Sequence, residues 1–491
     1  MVRRGIDARR KGSVRRVYTV DVSLAPPGLE DGVRARVPSA RPLERLPDPF
    51  PRVPVRTVTP RPVVVGAGPA GMFAALTLAR YGAAPLVLER GRPVGERARH
   101  VAAFWKDGTL DPESNVLFGE GGAGTFSDGK LTTRIGDPLV EHVIGVFADY
   151  SGLPDLPREA KPHVGTDRLR TFCLRMRREL EDLGTEVRFG ERMTGIVAAE
   201  GAIREIRLAS GERVPCGDLV LAIGHSARDT VRTLLAEGVR MSAKPFAVGF
   251  RVEHPQELID GIQYGRMAGR KELPAADYRL AARAPSGRGI YSFCMCPGGE
   301  VVASPSGPGE MPVNGMSARD RGSRFANSGI VAAVTEDDFG TGDVLAGHEL
   351  QRLLEARAFR KGGGGFGVPA MNLLSFLSGR SMSLSPGKAL APRVVRSNLA
   401  GILPRRVEED LRYGLGRFGE SMRGFLTQAG TLYGVESRTS SPVRIERENH
   451  ESITVKGLYP VGEGAGHAGG IVSSAVDGIR AALRILEKRS G

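Results

Sequence analysis

The sequence predicts an α/β protein: a Rossmann-like dinucleotide-binding domain split by an inserted mixed α+β domain, with a small α/β region ahead of both. Three observations carry that prediction. Gly66-x-Gly68-x-x-Gly71 stands between a buried strand and an apolar helix, where a dinucleotide fingerprint belongs. The same strand, glycine turn and helix texture returns at the other end, in "GLYPVGEGAGHAGGIVSSAVDGIRAALRIL". Between them, from about 243 to 440, the texture changes to mixed strands and loops. The expected organisation is a basic N-terminal region (1–37), a proline-rich connector (38–61), the dinucleotide-binding domain in two pieces (62–242 and 441–491), and the insert (243–440).

Taken in order, "RRVYTVDVSLA" reads as the one convincing strand of the N-terminal region. Eight prolines within 38–62 then predict an extended connector. "VVVGAGPAGMFAALTLARYGAAPLVLERG" predicts a strand at Val63–Val65, a helix over Ala70–Tyr81 and a strand at Pro85–Leu88, a βαβ unit. Residues 166–183 have helical periodicity. "TEVRF", "MTGIVAAE" and "AIREIRLAS" read as strands, the last two as a meander, and "GDLVLAIGHSA" as a buried strand ending in glycine. "KGGGGFG" at 361–367 is expected to be flexible.

At the first turn, Gly66 makes the bend, Gly68 lets backbone approach a pyrophosphate, and Gly71 lets helix pack on strand. The helix N-terminus offers unpaired N–H groups to the phosphates. Glu89 ends the second strand about twenty residues on, where a carboxylate accepts from a ribose 2′-hydroxyl and repels a 2′-phosphate. The ligand is therefore FAD-like or NAD-like rather than NADP-like.

Composition narrows the alternatives. The formal net charge of +14 and a pI near 9.9 invite a nucleic-acid reading. Yet only 10 of the 69 basic residues are Lys, a bias that GC-rich coding alone produces, and residues 1–62 hold more than half of the excess. Nucleic-acid binding is disfavoured; its remaining form is a flavoprotein acting on RNA with the N-terminal region as docking arm. Four cysteines in 491 residues do not make a disulfide framework. The N-terminus carries three Arg-Arg pairs without an apolar stretch after them, and no run approaches a membrane span. A cytoplasmic protein is expected, with a small-molecule substrate; oligomeric state is not legible, and no metal-ligand set is read.

The blocks "ERGRPVGERARHVAAFW", "NVLFGEGGAGTFSDGKLTTR", "AKPFAVGFRVEHPQELID", "FCMCPGGEVV", "GVESRTSSPVRI" and "GLYPVGEGAGHAGGI" resemble the bacterial FAD-dependent dehydrogenase family of the glutathione-reductase-like superfamily, over nearly the full chain. That resemblance implies FAD, a redox flavin and an inserted substrate domain. It places the 121–130 loop beside the diphosphate, ribityl chain and flavin, with Glu463 on ribityl hydroxyls and the helix near Gly469–Ile471 aimed at the flavin N1/O2 edge. The implied FAD contacts are Gly66, Gly68, Pro69, Ala70, Gly71, Glu89 and Arg90; Gly122, Gly124, Thr125, Ser127 and Asp128; Gly224; and Gly462, Glu463, Gly469, Gly470 and Ile471. Val187 is expected to meet the adenine through its backbone.

The 122–131 stretch also carries P-loop spacing, Gly124-x4-Gly129-Lys130, but Leu131 stands where Mg²⁺ needs a hydroxyl and "ESNVLFGE" is a poor strand. An ATPase is excluded on both grounds. Lys130 could steady an anionic flavin or substrate, or merely pair with Asp128. Arg438 is a candidate carboxylate binder, or a structural ion pair. His467, where the family has Tyr, is a candidate proton donor or a packing residue, and His225 is equally open. Cys294 and Cys296 form a Cys-x-Cys pair that a strand would set on one face, reactive or simply buried. Cys173 and Cys216 read as structural. No second fingerprint is read between 200 and 440, so electrons would come from substrate, from transient NAD(P)H docking, or from a protein donor. The expected activity is hydride transfer through flavin N5 as a dehydrogenase or reductase, against a non-catalytic FAD-binding sensor.

Overall fold

The computed structural model describes residues 2–9, 13–22, 24, 29–42, 50, 59–384, 387 and 389–490. Most of the expected connector, 43–49 and 51–58, lies outside them.

A five-stranded parallel sheet runs in the order Leu458–Pro460, Leu219–Leu221, Val63–Val65, Leu86–Glu89, Glu186–Phe189. Its strands are short, and the three central ones are mostly apolar and fully buried, as parallel strands covered on both faces must be. Helices Pro69–Arg80 and Ile471–Ser490 cover one face, where Phe73, Leu76, Ala475, Ile479 and Ala482 share a core. On the other face lie the meander Met193–Ala199, Ala202–Leu208 and Arg213–Pro215 and the helix Arg228–Ala236.

The glycine turn explains its own composition. Gly66 has φ of +104°, and a side chain there would meet the Ala222 carbonyl oxygen at 2.3 Å. A Cβ on Gly71 would lie 1.8 Å from the Gly66 carbonyl oxygen. Only glycine lets the first helical turn sit this close to the strand it follows.

A second sheet of seven strands has the order Ala281–Arg283, Gly289–Cys296, Phe325–Val334, Phe246–Pro255, Thr431–Glu436, Gly367–Asn372, Arg393–Arg396. All its pairs are antiparallel except the last. Phe250, Val252, Ile330, Phe376, Leu411 and Phe418 form its core with the helices packed on it. The chain leaves the first sheet through Met241–Ala243 and returns through Val443–Ile445, and these two segments pair antiparallel.

Two details differ from the sequence reading. The N-terminal region holds two strands, Val2–Asp7 and Arg15–Val20, in an antiparallel hairpin. "VRRGID" has no apolar run to announce the first; it is held by pairing, and by the Ala160 N–H donating to the Arg4 carbonyl at 2.9 Å. Residues 362–367 do carry the GxGxxG spacing. They run from helix Ala346–Lys361 into strand Gly367–Asn372, the reverse of the fingerprint's order, so no helix N-terminus faces the turn. Among the described residues no helix is long and apolar enough to cross a membrane.

Candidate functional site

One cavity of ≈ 360 Å³ runs from the Gly66–Gly71 turn to the edge of the seven-stranded sheet. Its nucleotide end is made of backbone. Gly68, Pro69 and Ala70 line it, and the helix beginning at Pro69 has no side-chain cap, so its first N–H groups face open space. Across from it, Gly122 approaches so closely that a Cβ there would lie 3.1 Å from the Gly68 Cα. Gly71 lies behind this surface, against Gly66.

Glu89 lines the same end, but its carboxylate also ties three loops together. It accepts from Ala67 N at 2.8 Å, Gly91 N at 2.9 Å and Gly119 N at 3.0 Å. Arg90 is bonded to Glu113 and Asp229 and stacks over Phe118 at 4.0 Å. Val187 does not reach the cavity; it packs into the helix-covered core, and Glu191, Arg192 and Met193 line this end instead. The chain turns inward only after strand Glu186–Phe189 ends.

The stretch 122–126 is a short 3-10 turn rather than a P-loop. Gly124, Ser127, Asp128 and Lys130 line the cavity, while Thr125 is buried behind it, donating to the Glu120 carbonyl at 3.2 Å. Ser127 closes the turn onto the Gly124 carbonyl at 2.6 Å. Asp128 and Lys130 approach to only 4.0 Å, and each reaches across to the insert. The Asp128 carboxylate accepts from Ser317 and, at 2.9 Å, from Arg321. Lys130 Nζ donates to the Met295 carbonyl. Burial opposes the Lys130 charge, but the neighbouring cysteines and Asp128 outweigh it and raise its pKa.

At the far wall, Gly462, Glu463, Gly469, Gly470 and Ile471 line the cavity with Gly224. The Gly462 N–H is held by Asp477 at 2.7 Å, and helix Ile471–Ser490 starts at the cavity's edge. Burial, relieved in part by Lys244, pushes the Glu463 carboxyl up to about 7.

The remaining candidates separate. Arg438 lines the cavity with every guanidinium nitrogen engaged: to Glu355 at 2.8 and 2.9 Å, to Glu310 at 2.7 Å, and to Ser306 at 2.7 Å and Ser226 at 3.2 Å. Arg228 joins it on Glu355, which the two guanidiniums hold far below the carboxylate range against its burial. His225 lines the cavity with Nδ1 2.9 Å from Ser226 Oγ; burial, then Arg438 and Arg228, lower it to about 4, so the ring is neutral. His467 is exposed, outside the lining, with Nε2 2.9 Å from the Ile445 carbonyl. Arg444, at the end of the same "ESRTSSPVRI" turn as Arg438, is likewise exposed. Cys173 and Cys216 are buried and pushed up to about 12.

Phe293, Cys294 and Asn314 of the insert complete the lining. Asn314 carries no motif and Phe293 only opens the "FCMCPGGEVV" block; strand pairing places both. Arg251, missed by motif reading, had one signal: a charge inside the apolar strand "FAVGFRVEHP". It is fully buried, 2.7 Å from Glu436.

The cavity fits FAD on two structural grounds. The glycine approaches leave room where any Cβ would intrude, and an uncapped helix N-terminus stands free to meet a diphosphate.

Comparison with known proteins agrees. Residues 64–123 match the family model for an NAD(P)-binding Rossmann-like domain, and residues 245–439 match "FAD-dependent protein, C-terminal domain-like". An uncharacterized protein of Clostridium beijerinckii is 43% identical over 99% of this chain and 92% of its own length. Protein FixC of Escherichia coli is 28% identical over 40% of this chain and 44% of its own. Among solved structures, the FAD-complexed glycerol-3-phosphate dehydrogenase of Bacillus halodurans aligns with 87% of this chain and 63% of that one, at 12% identity and a TM-score of 0.36. A likeness that distant says nothing about chemistry.

Proposed function

We propose that this chain, which belongs to the family of FAD-dependent proteins, is a dehydrogenase or reductase whose substrate is a small molecule bound at the insert's end of the cavity. Its cofactor is FAD. When bound, FAD supplies two-electron chemistry, as hydride, at flavin N5. The observation that carries the reading is the continuity of the cavity: the same space is walled by the dinucleotide turn and by Lys130, Phe293, Cys294 and Asn314. A sensor that only stored FAD would not need a second, polar compartment opening on it.

The chain's own residues divide the work. Gly66, Gly68 and the helix-start N–H groups from Ala70 onward would hold the diphosphate, and Glu89 and Arg90 border the ribose end. Gly462 and Glu463 would hold the ribityl chain, and the N-terminus of helix Ile471–Ser490 would favour negative charge beside it. Lys130 supplies a cation fixed by Met295 and Asp128. Glu463 holds its proton at the carboxyl below about pH 7 and releases it above, so it is the lining acid poised for proton exchange at neutral pH. Arg438 and the neutral His225 act as wall, not as proton carriers. Placement within the glutathione-reductase-like superfamily, and NAD(P)H as a transient donor, belong to the same proposal.

An anaerobic screen of NADH, NADPH and small-molecule donors, following bleaching of the flavin absorbance, tests this. At least one donor class should bleach the flavin on a timescale of seconds to minutes. Protein that cannot be reconstituted with FAD would remove the basis of the proposal.

A further inference from the structure

Strand Gly289–Cys296 does not end regularly. Its register against Phe325–Val334 slips between Phe293 and Cys296, and Cys294 takes φ of +44°, a left-handed conformation uncommon for a side-chain-bearing residue. A regular strand would hold residues 294 and 296 on one face, roughly 7 Å apart. The bulge breaks that regular spacing, and the Cys296 thiol turns back to donate to the Cys294 carbonyl at 3.3 Å. Two cations grip the bulge: Lys130 donates to the Met295 carbonyl, and Arg251 to the Cys294 carbonyl at 3.3 Å. Both cysteines are free.

The two thiols are not equivalent. Cys294 is half-buried and lines the cavity; Cys296 is fully buried behind it. That is the arrangement of an exchanging thiol and a resolving one. Around the Cys294 sulfur stand Cys296, Lys130 and Asp128 from the glycine loop, Arg251 and Glu436 from the second sheet, and Glu463 from the far wall. The neighbouring Cys296 thiol, with Lys130 and Arg251, outweighs burial and the acidic groups, drawing Cys294 well below the thiol range while Cys296 is pushed up.

We propose that Cys294 and Cys296 form a dithiol–disulfide couple that exchanges an electron pair with the bound flavin. The inference rests on the two-electron reading above. In the oxidising direction a bond forms between the Cys294 and Cys296 sulfurs as the Cys296 S–H bond breaks. The thiolate and thiol together lose two electrons and one proton, and FAD takes all three to become FADH⁻. The reverse step restores thiolate, thiol and FAD. No further oxidant or reductant enters.

The test is an anaerobic reductive titration of diamide-oxidised holoprotein with dithionite, with alkylation and mass spectrometry of the 289–296 segment. Wild type should take up four electrons per FAD, and Cys296→Ser and Cys294→Ser two each. The oxidised wild-type segment should weigh two hydrogens less and resist alkylation. Its disulfide should be reduced at least tenfold more slowly once FAD is stripped, which makes the flavin the route. Two-electron uptake by wild type with both cysteines alkylatable after diamide overturns the couple but leaves the oxidoreductase reading intact. Equal reduction rates with and without FAD also overturn it. A flavin that dithionite reduces but no biological donor does would instead sink the oxidoreductase reading, whatever the thiols do.

Discussion

The two ends of the cavity are built from different materials. The nucleotide end is backbone: glycines, an uncapped helix start, and one carboxylate that braces three loops. The insert end is charge held by other charge: Lys130 with Asp128 and Arg321, Arg251 with Glu436, Arg438 and Arg228 sharing Glu355 and Glu310. A backbone cradle tolerates little change of shape, whereas a buried ion network tolerates little change of charge.

The largest effect should come from the network. Glu355→Ala removes the fully buried carboxylate between Arg438 and Arg228 and leaves Glu310 alone to offset two guanidiniums. Unfolding in urea should show a loss of about 3–5 kcal/mol, the cost typical of an uncompensated buried charge. If the loss stays below 1 kcal/mol, the network is a wet surface feature and the contrast fails.

Shape is tested next, by Gly71→Ala. The added methyl meets the Gly66 carbonyl and must open the turn. Overpacking of this kind costs about 1–3 kcal/mol, and flavin absorbance per mole of purified protein should fall with it. The same methyl at Gly416, with nothing within 4 Å, should do neither.

These two variants also mark what the sequence could and could not say. The cradle was legible because strand, glycines, helix and acid fall within about thirty residues, and each glycine is required locally. Gly462, Glu463 and Ile471 were named through the family resemblance, and the structure sets them on the cavity wall. The insert end joins Lys130 to Met295, Asp128 to Ser317, and Arg438 to residues 83 to 212 positions away. No spacing rule reaches so far. Arg438 could be noticed as an arginine, but not that its nitrogens are all engaged. His467 was open between proton donor and packing residue by its type, and the structure sets it outside the cavity lining, exposed, with Nε2 on the Ile445 carbonyl.

A third measurement sharpens the boundary between the two ends. The folded-state pKa of Glu463 lies above the ordinary 4.5, so stability tied to its protonation is complete below pH 4.5 and fades as pH rises through about 7. Glu463→Gln should therefore stabilise the FAD-free protein at pH 8 by about 3 kcal/mol at most, and at pH 5 by about 1 kcal/mol or less. Thermal melts at the two pH values give the answer; equal shifts at both would mean the carboxyl is not desolvated. The smallest effect belongs to the surface. Arg405→Ala removes an exposed i,i+4 pair with Glu409 and should move urea stability by about 0.5 kcal/mol or less.

The antiparallel pairing of Met241–Ala243 with Val443–Ile445 has a modular consequence. Ala243 and Val443 are cross-strand neighbours, so their Cα atoms stand about 5 Å apart. An Asn-Gly hairpin turn could join them directly, shortening the chain to a bare flavin holder. The reverse operation is as simple: any domain whose termini emerge side by side could be spliced in at that point. Substrate preference would then be an exchangeable cartridge, changed in one recombination event that must also remake the insert's contacts to Asp128 and Lys130.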